Sequence, residues 1–160
     1  MEILREKQLT VILLIERLEK LTNRKVKLEL PLTIEEGEGQ LSESDLDILR
    51  QFINYCLDNL KIKKIPVIEL TIHREEDTTT GGYYPDENFI VTYTKNRHII
   101  DVCRSIGHEL MHADQVENDR LDVDGEDSAE CPSEIEATVF AAKMMREFSK
   151  KHPEIYKEEE

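Results

Sequence analysis

Hydrophobic residues recur at two periods along this chain, and the places where one period gives way to the other divide it into elements. Leu4, Val11, Leu14, Leu18 and Leu21 return near helical spacing while Glu and Lys fill the other side, which predicts a long amphipathic helix from Met1 to Lys20. Thr22-Asn23 interrupts it. In "VKLEL" the period falls to two, so Val26, Leu28 and Leu30 share one side of a strand ending at Pro31. "EEGEGQ" reads as an exposed loop. Ser42 or Ser44 then caps a second helix, with Leu46, Leu49, Ile53, Cys56, Leu57 and Leu60 as its buried stripe.

Beyond Pro66, Ile68, Leu70 and Ile72 alternate with Glu69, Thr71 and His73, the pattern of a half-buried strand. Two β-favouring runs, Thr78 to Tyr84 and Phe89 to Thr94, flank the turn-forming Pro85-Asp86-Glu87-Asn88 and predict a hairpin. A third helix starts after Asn96 and turns Ile99, Val102, Cys103, Ile106, Leu110 and Met111 inward. The acidic run "VENDRLDVDGEDSAE" breaks the periodicity and reads as a solvated loop. Its Asp122, Asp124, Asp127 and Glu130 lack the full register and the twelfth-position Glu of a calcium loop. Pro132 or Ser133 opens a last helix, with Ile135, Val139, Ala142 and Met144 or Met145 on its apolar side. The end from Pro153 is expected to fray. Helices and a small, largely antiparallel sheet make this an α+β chain.

A length of 160 residues suits one compact domain: a helix-strand-helix region over 1–65, a core over 66–152 and an acidic tail over 153–160. A formal net charge of −14 repels phosphate backbones and anionic lipid, so neither nucleic acid nor a membrane surface is expected as a partner, whereas a basic peptide segment is attracted. Cys56, Cys103 and Cys131 are widely spaced with no CxxC pair, which fits a reduced, cytoplasmic protein. The longest apolar run, Val11 to Ile15, is too short for a secretory signal and far below the ~20 residues of a membrane span.

The third helix carries "IGHELMHADQ", Ile106 to Gln115, in which Glu109 follows His108 and His112 lies one turn further on. Residues at i and i+4 stand roughly 5 to 6 Å apart on one helix face, so the two imidazoles can converge on one zinc ion. Glu109, about 100° around the helix, is placed to reach a metal-bound water and serve as general base. A chain of this composition contains HExxH by chance roughly twice in a hundred, so its context matters. Gly107 costs a helix interior about 1 kcal/mol relative to Ala, which suggests that another element comes close there. "CPSEIEATVFAA", Cys131 to Ala142, presents Glu134 and Glu136 early in the last helix. Two His, one carboxylate and an open fourth position form the ligand set of a catalytic zinc site.

"RHIIDVCRSIGHELMHADQ" followed by "PSEIEATVFAAKMM" resembles the zincin-type metallopeptidases of the gluzincin pattern, in particular small phage-encoded and bacterial ones near the ImmA/IrrE group. In that group the HExxH helix is followed by a helix with an ExxA motif and a downstream Phe-Ala. The resemblance covers Gly82 to about Met145. It implies a zincin-like fold, His108, His112 and Glu134 as ligands of one zinc ion, Glu109 as catalytic base, and a peptide or protein substrate. Thr138 stands where that pattern usually has Asn, and "KMMR" replaces its usual Leu-Leu-Met-Pro.

Packing points the same way as the resemblance. Steps of three, four and seven from Glu134 reach Ala137, Thr138 and Ala141, which are small enough for close helix contact, whereas from Glu136 they reach Val139, Phe140 and Lys143. The expected activity is peptide-bond hydrolysis, with Phe89 to Thr94 edging the cleft. Tyr83, Tyr84, Tyr93, His98 and Arg104 all carry donors suited to an oxyanion. Thr138 is placed to bond a ligating imidazole, and Cys131 to approach the zinc, although a free thiol is the simpler state. His73 and His152 read as ordinary surface histidines. The alternative function is a non-catalytic zinc-bearing interaction or regulatory module, which would have no use for Glu109.

Overall fold

The structure, a computed structural model, describes residues 7, 9–11, 13, 14, 17, 30–74, 80–121 and 130–157. The chain divides into two compact units, Met1–Leu30 and Pro31–Glu160. In the first, the described residues between 7 and 17 are helical, where the amphipathic helix was expected. The strand expected around Val26 and Leu28, and most of the acidic loop at 122–129, lie outside the described residues. Among the described residues, no helix is long and apolar enough to cross a membrane.

The second unit runs β1 (Leu32–Ile34), α1 (Glu43–Asp58), β2 (Val67–Thr71), β3 (Gly81–Tyr84), β4 (Phe89–Tyr93), α2 (Ile99–Glu117), α3 (Pro132–Lys151) and a 3-10 turn over Pro153–Tyr156. Ser42 caps α1, its hydroxyl accepting the Asp45 N–H at 3.2 Å. His98 caps α2 through Nδ1, and Pro132 begins α3 where a helix has no use for its missing N–H. In the hairpin turn Asn88 takes the left-handed φ of 49° that Asn tolerates well.

The four strands lie in the order β1-β2-β4-β3. β1 pairs parallel with β2, β2 pairs parallel with β4, and β3 pairs antiparallel with β4. The sheet is therefore mixed, which corrects the largely antiparallel sheet expected from the sequence. The reason is topological: α1 is a crossover that returns the chain to run the same way, and the hairpin docks on β2 through its second strand. The same arrangement corrects the edge. Phe89 to Thr94 lies inside the sheet, and the short β3 is the border strand on that side, as β1 is on the other.

Ile68 and Leu70 of β2 and Ile90 of β4 are fully buried, as are Leu49, Phe52, Ile53 and Cys56 of α1 and Val102, Cys103, Ile106 and Leu110 of α2. Apart from Phe52 and Ile90, these positions match the periodic stripes of the sequence, while Leu57 and Leu60, expected in the α1 stripe, are only partly buried. On α3 the stripe is different. Ala137, Ala141, Met144, Met145 and Phe148 face inward, while Ala142 is exposed and Ile135 and Val139 are 50% and 61% exposed. Two contacts set this rotation: Phe148 meets Phe52 edge-on at 5.4 Å between ring centroids, and the small Ala137 and Ala141 let α3 approach α2 closely.

Gly107 sits where α1, α2 and α3 meet. A methyl group built on it would lie 3.5 Å from Ala141 Cβ and 3.5 Å from two ring carbons of Phe52. The close approach suggested by a helical glycine is real, yet it leaves room for one methyl and no more. Gly107→Ala should therefore raise unfolding stability by roughly 0.5 to 1 kcal/mol through helix propensity. Gly107→Leu should lower it by about 1 to 3 kcal/mol through overpacking. Urea denaturation of the two variants checks both signs, and a loss with Ala would mean that the junction is tighter than these distances.

Candidate metal centre

α2 carries two of the site's side chains one turn apart, and the first turn of α3 carries a third. His108 Nε2 and His112 Nε2 lie 3.0 Å from each other. Glu134 meets both, with Oε2 3.0 Å from His108 Nε2 and Oε1 2.9 Å from His112 Nε2. The rings stand edge to face, with centroids 4.7 Å apart. Three ligand atoms thus converge on one point and could hold a metal ion. The rotation of α3 that buries Ala137 and Ala141 also aims Glu134 at the imidazoles, because positions three, four and seven apart share a face. Glu136 is turned elsewhere, accepting from Gln115 Nε2 at 2.8 Å and from Arg120 Nη1 at 2.6 Å.

Glu109 borders the cluster on the side of the sheet edge. A methyl built on Gly81 of β3 would come 3.7 Å from Glu109 Oε1, and the Tyr83 backbone N–H donates to its carboxylate. Burial lifts the Glu109 carboxyl to about 7; His112 and the Tyr83 N–H pull it down while Glu134 pushes it up. Burial also lowers His108, and His112 adds to that, against the opposite pull of Glu134. Both shifts come from the same cause, a largely desolvated pocket in which charge is costly until an opposite charge enters.

Further partners surround the ligands. Thr138 Oγ1 lies 3.5 Å from His108 Nδ1, on the side where a bond was expected. His112 Nδ1 is 2.8 Å from Gln115 Oε1, a partner that sequence reasoning did not assign. The signal was available, since Gln115 follows His112 by three residues on one helix and so shares its face.

The remaining candidates are engaged elsewhere. His73 bonds Glu35, His152 bonds Glu154 and stacks on Phe148, and His98 serves as a helix cap. The Tyr83 hydroxyl donates to Asn88 at 3.1 Å, and Arg74 lies over the Tyr93 ring. Tyr84 and Arg104 are exposed. Cys131 is a free thiol 3.2 Å from Ser133 Oγ. No protein-family model, curated protein or solved structure matches this chain.

Removing any one of His108, His112 or Glu134 by substitution with Ala should weaken divalent-metal binding by at least ~10²-fold, since two ligands rarely hold such an ion alone. Glu136→Ala should weaken it by no more than ~10-fold. Affinity measured by chelator competition checks the contrast, and the opposite order for the two glutamates would refute the placement of α3.

Proposed function

We propose that this protein is a zinc-dependent hydrolase of peptide bonds with a zincin-like architecture. The observation that carries the reading is the position of Glu109, beside the His108–His112–Glu134 cluster and against the border strand β3. Structural zinc sites are usually closed by four protein ligands; three nitrogen and oxygen ligands with a carboxylate alongside suit a catalytic one. The ligand set also fits in size. Tetrahedral zinc with bonds of about 2.0 to 2.1 Å separates its ligand atoms by roughly 3.3 Å, a few tenths more than the spacings here.

When bound, zinc would supply Lewis-acid polarisation and a water acidic enough to ionise near neutral pH. The remaining work falls to the chain. Glu109, raised to about 7 by burial, is poised to take a proton from the attacking water and to return it to the leaving amine. An extended peptide lying beside β3 would gain affinity from main-chain contacts and little side-chain selectivity. A net charge of −14 favours basic, unfolded segments as substrates.

Glu109→Gln separates chemistry from metal binding. The variant should retain the wild-type zinc content and lose at least 10²-fold in the rate of cleavage of histone-like or casein-like mixtures. Survival of activity would overturn the mechanism. A zinc-loaded wild type that cleaves no peptide pool would favour the non-catalytic interaction module instead.

A further inference from the structure

Gln115 is fully buried in α2, and every hydrogen-bonding atom of its side chain is engaged. Its Nε2 donates to the Ser133 carbonyl at 3.0 Å and to Glu136 Oε2 at 2.8 Å, and its Oε1 faces His112 Nδ1 at 2.8 Å. Amide oxygen and nitrogen have the same shape, so chemistry decides the orientation. Reversing the amide would point its oxygen at a carbonyl and a carboxylate, with no proton between any of them. The amide therefore has one allowed orientation, and Oε1 must accept. The proton it accepts can come only from His112 Nδ1.

We infer that Gln115 is a positioning residue of the metal centre, which holds His112 as the Nδ1–H tautomer and leaves the Nε2 lone pair directed at the ion. This rests on the metal-centre reading above. An imidazole has one proton to place when neutral, and the bond at one nitrogen fixes what the other can do. Gln115 is itself secured. Glu136 also accepts from Arg120, whose second nitrogen pairs with the buried Asp114, and Asp114 Oδ1 accepts the Lys61 N–H at 2.7 Å. Through the Ser133 carbonyl the same amide ties down the residue just before Glu134. One uncharged side chain thereby orients a ligand on α2 and steadies the backbone of a ligand on α3.

The test uses the full-length protein and zinc itself. Gln115→Met fills the same space without the bonds and should weaken zinc binding 10- to 100-fold by chelator competition, with the circular-dichroism spectrum unchanged. Gln115→Glu keeps an acceptor at Nδ1 but sets its other oxygen against the Ser133 carbonyl and the Glu136 carboxylate, and should bind zinc no more tightly than Gln115→Met. In zinc-loaded, 15N-labelled wild type, the His112 Nδ1–H should exchange with water more slowly than that of His108, and the Met substitution should abolish the difference. An unchanged affinity in Gln115→Met, or a His112 ring proton exchanging as fast as that of His108, would overturn the inference. If the wild type binds no zinc, the metal-centre reading fails first, and this inference falls with it.

Discussion

The His108–His112–Glu134 cluster depends on how closely two helices can approach. Glu134 meets His108 and His112 because α3 lies against α2 with Ala141 beside Gly107, a junction with room for one more methyl and nothing larger. Phe52, from α1, closes the third side of the same junction, so a small contact in the core determines the position of three polar atoms at its rim. Interiors pack too densely to absorb a displacement there without passing it on. The site is in this sense a product of packing first and of ligand chemistry second.

The sheet supplies the other boundary. Because the hairpin docks on β2 through β4, its first strand is left at the border, and Gly81 brings that border close to Glu109. A strand with a side chain larger than a methyl there would stand further off. The carboxylate is consequently held between a helix and a strand edge, buried enough for its proton affinity to rise and near enough to His112 to feel the opposite pull.

Much of this was legible in the sequence, and the failures have physical causes. The stripe of α2 from Ile99 to Met111 predicted its buried face because hydrophobicity and packing agree there. On α3 they disagree. Ile135 and Val139 suggested one face, but Ala137 and Ala141 won because small residues permit close contact, and the Glu134 motif had already pointed that way. The alternation in β2 revealed which of its residues are buried but carried no information on strand direction, since a period of two is the same in parallel and antiparallel pairs. Gln115 was in plain view beside the motif. What the linear sequence could not show was that the backbone of Ser133, eighteen positions away, would fix the orientation of its amide.

The two imidazoles and the carboxylate reach their meeting point by different routes. His108 and His112 are adjacent through the pitch of a single helix, whereas Glu134 arrives from 26 residues further along the chain. The third ligand is therefore present at an effective concentration that tertiary structure sets and that closing a long loop would otherwise dilute. An ion that binds only the assembled set must, by mass action, stabilise the docked state of α3 by the same free energy with which docking strengthens its binding. Such a centre acts as a clasp between two helices as well as a place for chemistry.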